Sequence, residues 1–180
     1  MEELITERLN IRRFTENDGP SLFNYLSKEE VVHFEPYPPF TKEQSDKEAL
    51  RRAQDKSFWA VCLNDGTLIG NLYFSKGEFD TWMIGYVFNN EYWGQGYATE
   101  AVNAIFDYGF QEWGVRRIIA LCNPLNTPSW QLLERIGMRR EGELKQNVFF
   151  NMDEQGKPIW QDTYEYGLLK NEYMKNKANS

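Results

Sequence analysis

The segment Trp93-Gly94-Gln95-Gly96-Tyr97-Ala98-Thr99-Glu100 carries the residue types of an anion site. Before it, residues 81–88 read as a strand. After it, Ala98, Ala101, Val102, Ile105, Phe106, Gly109 and Phe110 recur at three- and four-residue steps, one face of a helix that ends near Gly114. A glycine-rich link between strand and helix offers its own N–H groups, plus those at the helix start, to a phosphate. Gly94 and Gly96 allow a close approach. The positive potential then comes from amides rather than lysines, which matters in a chain with 20 Lys+Arg against 27 Asp+Glu. Tyr97, not lysine, follows Gly96, so the loop is not of the Walker type. Thr99 fills the third glycine position of GxGxxG, which excludes the dinucleotide pattern. The glycine pair by itself is equally compatible with a tight turn that holds no ligand.

A second constellation lies at Asn126 and Ser129, in the first turn of a helix predicted over residues 126–136 and closed by Gly137. Both residue types cap helices, and both also contact ligands. Cys62 and Cys122 fall in apolar strands, form no CxxC motif and have no histidine nearby in sequence, so neither reads as an activated nucleophile. His33 is the only histidine, which removes two-histidine metal motifs, and no metal site is expected. In its aromatic surroundings His33 is expected to pack rather than act as a base.

The elements that must position these groups follow from pattern. Residues 9–14 form an opening strand. Asp18 is placed to cap a short helix with Leu22, Phe23 and Leu26 on one face. Residues 35–40 hold three prolines and form a loop. Thr41 with Gln44 is a capping box, which predicts a helix over residues 42–54. Residues 58–63 and 68–74 flank Asn64-Asp65-Gly66-Thr67, a hairpin signal. Residues 117–122 form a short strand, and residues 140–150 and 161–169 a long pair joined by a turn at 153–157. The order β, αα, βββ, α, β, α, ββ predicts an α/β mixed sheet with helices on both faces, in a single domain spanning residues 1–180.

Composition excludes other classes. A net charge of −7 argues against a nucleic-acid binder and against anionic membranes, and suits an amine partner. No apolar run approaches the ~20 residues of a membrane helix. The N-terminus lacks the basic and apolar regions of a signal peptide. The expectation is a cytoplasmic protein, monomer or homodimer, with reduced thiols.

The string Tyr92-Trp93-Gly94-Gln95-Gly96-Tyr97-Ala98-Thr99-Glu100-Ala101 resembles the pyrophosphate-binding motif Q/R-x-x-G-x-G/A of the GCN5-related N-acetyltransferases, with Trp93 at the Q/R position. It is similar in particular to the RimJ/RimL branch, whose members acetylate protein N-termini, ribosomal proteins especially. Asn123-Pro124-Leu125-Asn126-Thr127-Pro128-Ser129, then Leu133-Glu134-Arg135-Ile136-Gly137-Met138, resembles that branch's N-x-x-S…E-K-x-G-F block. Glu141-Gly142-Glu143-Leu144-Lys145-Gln146, with Asp162 and Tyr166, is a third match. The resemblance runs from Thr6 to Tyr173.

It implies a mostly antiparallel sheet whose central strands splay into a V-shaped gap for acetyl-coenzyme A, with no metal. Tyr86, Val87 and Phe88 would present backbone groups to the pantetheine arm, one N–H stabilising the oxyanion. Trp93, Gly94, Gln95, Gly96, Tyr97, Ala98 and Thr99 would hold the pyrophosphate. Asn126 would contact pantetheine, and Ser129 would donate to the departing thiolate, a moderate base given that a free thiol titrates at about 8.5. Leu133 stands where many relatives carry a tyrosine. Val148 stands where the ribosomal-protein acetylases carry an acid. Glu35 and Glu100, with Glu141 and Glu143 behind them, are the carboxylates left to take the amine's proton. The implied activity is acetyl transfer to a primary amine, taken first as a protein or peptide N-terminus. The alternatives are a small amine (a polyamine, an aminoglycoside or an amino acid) and a coenzyme-A-binding module without turnover.

Overall fold

Eight strands form one sheet in the order β1-β2-β3-β4-β5-β6-β8-β7. The computed structural model describes residues 2–179. In chain order the elements are β1 (Glu3–Ile5), β2 (Leu9–Arg13), α1 (Gly19–Leu26), α2 (Glu29–Val32), α3 (Lys42–Gln54), β3 (Phe58–Leu63), β4 (Leu68–Lys76), β5 (Thr81–Phe88), α4 (Tyr97–Gln111), β6 (Arg117–Cys122), α5 (Thr127–Arg135), β7 (Arg139–Met152), β8 (Pro158–Leu169) and α6 (Lys170–Ala178).

Local chemistry sets several boundaries. The capping box at Thr41 and Gln44 forms in full and starts α3. Gly66 takes a positive φ of 90° in the β3–β4 turn, and Gly137 takes 91° at the end of α5. Asp18 does not cap α1 with its side chain. Its carboxylate instead accepts from the Arg12 guanidinium and from Thr15, because a nearby cation outcompetes the helix amides. Phe23 is exposed, and Tyr25 takes its expected place on the buried face of α1. His33 is exposed too, with only an edge contact to Phe34, which corrects its expected packing role.

Every strand pairing is antiparallel except β5–β6, which is parallel and bridged by α4. Cross-strand partners share a face, so Ala60, Asn71 and Val87 line one side and Trp59, Leu72 and Tyr86 the other. Helices α1–α3 cover the first side, closing a cluster of Phe14, Leu22, Tyr25, Leu26 and Ala60. Helices α4, α5 and α6 cover the second, where Ile84, Phe88, Phe106, Leu133 and Tyr173 belong to one core.

The feature that positions the site is where β5 and β6 part. Their register ends at Ile84 opposite Ala120. Past that point residues 85–88 of β5 stay paired only with β4, while Leu121 and Cys122 of β6 stay paired only with β8. Residues 158–163 of β8 run beyond the end of β6 and pair only with β7. The strand pair predicted over 140–150 and 161–169 is therefore longer than its alternation suggested. Cross-strand packing of Phe149 on Trp160, 5.2 Å between ring centroids, accompanies the extension.

Candidate active site

The link from β5 to α4 is built around two glycines in the left-handed region, Gly94 at φ 71° and Gly96 at φ 83°. Gly96 is the N-cap of α4 and brings no side chain to cap it. The first helical bond is donated by Glu100 N–H to the Gly96 carbonyl, 3.0 Å. Among the described residues, none of the N–H groups of residues 94–99 donates to another protein group. These amides are a row of donors without internal acceptors at the positive end of a helix dipole, and they fit the oxygens of a pyrophosphate. Trp93 closes the loop from outside, its indole Nε1–H donating to the Phe88 carbonyl at 2.9 Å.

Arg8, which sequence reading did not single out, sits against this loop. Its Nη1 donates to the Gln95 carbonyl at 2.9 Å, its Nε pairs with Glu100 at 2.6 Å, and its guanidinium lies 4.4 Å from the Tyr97 ring centroid. Arg135, from the end of α5, reaches Thr99 Oγ1 at 3.3 Å. Two cations thus flank the amide row.

Glu100 is not brought to the gap. Its carboxylate accepts from Thr6 Oγ1, the Arg8 amide and the Arg8 guanidinium, and it lines the groove between β1 and α4. Those partners hold its pKa below the ordinary carboxylate value, against the desolvation that opposes them. Glu141 is tied to Arg117 and Arg139, and Glu143 to Lys145. The carboxylates at 100, 141 and 143 are all committed to cations.

Glu35 differs. It lies half-buried in the loop between α2 and α3. That loop's Tyr37 and Phe40 pack on the same cluster as Val87 of β5. Burial pushes its carboxyl up to about 7, while the Tyr37 hydroxyl and the Arg52 charge pull the other way. A carboxyl that titrates near neutrality on the β5 side of the sheet is chemically suited to take a proton from an amine.

The gap itself is bounded by α5. Asn126 occupies the N-cap position of α5 but makes no side-chain cap; its backbone N–H donates to the Asn123 carbonyl at 2.9 Å, and its side-chain amide makes no hydrogen bond among the described residues. Ser129 does not cap either. Its Oγ lies 3.0 Å from the Tyr86 hydroxyl, which also reaches the Ser129 carbonyl at 3.0 Å. Burial pushes the Cys122 thiol up to about 11, with Ser129 opposing the shift. Cys62 is buried, Cys122 half-buried, and both are free thiols. No group of His, Cys, Asp and Glu among the described residues could hold a metal ion.

A fourth cluster holds the strand-to-loop junction. Lys28 Nζ donates to Asn89 Oδ1 at 2.9 Å, to Asn90 Oδ1 at 2.9 Å and to Glu91 at 2.7 Å, and Asn90 donates to Glu30 at 2.9 Å.

Residues 8–139, which include the parted strand and the glycine loop, match the family model of the acetyltransferase (GNAT) domain. The chain belongs to the GNAT acetyltransferase family. An N-acetyltransferase of Bacillus subtilis strain 168, YnaD, named as uncharacterized, is 37% identical over 174 residues, covering 94% of this chain and 98% of that one. A GNAT-family acetyltransferase structure from Bacillus anthracis superposes with a TM-score of 0.86 at 36% identity, covering 95% of this chain and 100% of its own. The ribosomal-protein-serine acetyltransferase of Escherichia coli K12 is 26% identical over 159 residues, covering 82% of this chain and 88% of that one. This GNAT protein is an N-acetyltransferase, and its family draws the acetyl group from acetyl-coenzyme A. No helix among its described residues is long and apolar enough to cross a membrane.

Proposed function

We propose that this enzyme acetylates the N-terminal amine of a polypeptide, with residues 94–99 holding the pyrophosphate of acetyl-coenzyme A and residues 85–88 its pantetheine arm. The observation that carries the acceptor class is the pair of unpaired strand edges flanking the space past β6: residues 85–88 on one side and residues 158–163 of β8 on the other. An unpaired edge binds an extended main chain through regularly spaced hydrogen bonds, and a peptide alternates donors with carbonyl acceptors where a polyamine has donors alone. One edge suits the amides of pantetheine and the other an incoming chain.

In this reading Glu35 accepts the proton that the attacking amine loses, and a backbone N–H of residues 85–88 stabilises the oxyanion. Ser129 donates a hydrogen bond to the sulfur as the C–S bond breaks. Asn126, with a free side-chain amide beside the gap, orients the arm. Glu100 holds α4 to the turn between β1 and β2 rather than taking part in the transfer. A small amine acceptor is the second reading, equally compatible with the raised pKa of Glu35, which serves any amine.

The test is thiol release from acetyl-coenzyme A with three amine sets: short peptides with free N-termini, the same peptides with blocked N-termini, and polyamines with aminoglycosides. Free peptides are expected to give kcat/KM at least tenfold above the other sets. Preference for a polyamine or aminoglycoside would replace the peptide reading with the small-amine one.

A further inference from the structure

Tyr86 links the two sides of the gap. Its side chain leaves β5, and its hydroxyl meets α5 at Ser129, 43 residues away in sequence, with Oγ and the carbonyl oxygen each 3.0 Å distant. The two contacts permit two hydrogen arrangements. In one, Tyr86 donates to the carbonyl and accepts from Ser129 Oγ, so the serine hydrogen is used up. In the other, Tyr86 gives up its bond to the carbonyl and donates to Ser129 Oγ, and the serine hydrogen is free to point elsewhere. Burial raises the phenol well above its ordinary value, so it keeps its hydrogen throughout the working pH range. Ser129 Oγ is held against a residue of the unpaired end of β5, so the freed hydrogen lies at the edge of the gap.

We infer that Tyr86 is a positioning residue for the leaving group: by donating to Ser129 Oγ it turns the Ser129 hydrogen toward the departing sulfur. The inference rests on the reading of Ser129 as the donor to that sulfur. As the C–S bond breaks, its electron pair goes to sulfur and is stabilised by the Ser129 O–H. Neither hydroxyl loses its proton. The thiolate takes one from water, which balances the one surrendered by the amine. A hydroxyl that accepts a hydrogen bond is the stronger donor, so Tyr86 both aims and strengthens Ser129.

Three variants test this: Tyr86→Phe, Ser129→Ala and the double. Tyr86→Phe keeps the ring and is expected to lower kcat about tenfold, with the KM for acetyl-coenzyme A within about twofold. Ser129→Ala is expected to lower kcat at least as far, and the double variant no further than Ser129→Ala alone, because Tyr86 acts through Ser129. A binding readout avoids turnover. The affinity for coenzyme A, relative to S-methyl coenzyme A, should rise several-fold between pH 7 and pH 9 in the wild type as the bound thiol ionises. That rise should disappear in Tyr86→Phe. Affinity for the S-methyl compound, unchanged across the set, establishes that each variant is folded. Wild-type kcat and a retained pH response in Tyr86→Phe, alongside a slow Ser129→Ala, would overturn the role of Tyr86 alone. Wild-type kcat in Ser129→Ala would overturn the Ser129 reading, and this inference with it. A double variant slowed by the product of the single effects would make Tyr86 an independent contributor and overturn the relay.

Discussion

At the scale of single residues, Glu35 and Glu100 show how one side-chain type is turned to opposite uses. Glu100 meets a guanidinium and two further donors, which favour its charge. Glu35 is desolvated by burial, which favours its proton over the opposing Tyr37 hydroxyl and Arg52 charge, and its carboxyl is pushed up to about 7. If Glu35 takes the amine's proton, kcat with saturating substrates should rise with pH through an inflection near 7 in the wild type. Glu35→Gln should lose that inflection and lower kcat by roughly a hundredfold to ten-thousandfold. Persistence of the inflection in the glutamine variant would assign it to another group. Stability gives an independent check with its own sign. The folded-state pKa lies above the ordinary value of 4.5, so the contribution of this group is fully present below about pH 4.5 and is lost as pH rises through about 7. Glu35→Gln should therefore melt higher than the wild type at pH 8, by the equivalent of at most a few kcal/mol, and close to it at pH 4.

At the scale of elements, the loop before α4 depends on backbone conformation. Gly96 has a φ of 83°, and a Cβ there would stand 3.3 Å from the Arg8 guanidinium. Gly96→Ala should cost about 1–2 kcal/mol of stability from the left-handed conformation alone. It should also weaken acetyl-coenzyme A binding at least tenfold in calorimetry, while Arg8→Gln weakens it less. Wild-type affinity in folded Gly96→Ala would move the pyrophosphate elsewhere. Elements of this kind were legible where their cause is local. Thr41 and Gln44 lie three residues apart and announce α3, and the stripe from Ala101 to Phe110 announces α4. Helix α6 was not legible because Tyr173 is its only buried residue, so it carries no stripe. β1 and α2 span three and four residues, too short for any period. The site divides in the same way. The amide row follows from Gly94 and Gly96, but Arg8 reaches Gln95 across 87 residues and Tyr86 reaches Ser129 across 43. The parting of β5 from β6 is set by competing partners, β4 for one strand and β8 for the other, and no short window of sequence holds that competition. The choice between capping and ligand roles for Asn126 and Ser129 stayed open in sequence for the same reason. Where the two side chains point depends on the gap beneath them.

At the scale of the whole molecule, the helices α1–α3 and the helices α4–α6 belong to different cores on opposite faces of one sheet. Lys28 joins them at the edge of the site, because its ammonium holds Asn89, Asn90 and Glu91, the residues that lead from β5 into the glycine loop. The lysine stands between α1 and α2, shortly before the loop that carries Glu35. On the proposed reading, in which the Glu35 loop borders the acceptor, a group that fixes the glycine loop also fixes one wall of the acceptor site. In the language of linkage, a tie at Lys28 predicts that the two occupancies share one free energy, and such sharing is reciprocal. Each substrate should tighten the other by the same factor in the wild type. Lys28→Met should bring that factor down several-fold toward one, with either substrate's lone affinity changed far less. Calorimetry of coenzyme A with and without a bound acceptor measures the factor, and an unchanged value in Lys28→Met would reduce the lysine to a surface tie. If the factor falls as expected, the enzyme commits its donor and acceptor together, and a half-filled site lets its single guest go before thioester is lost to water.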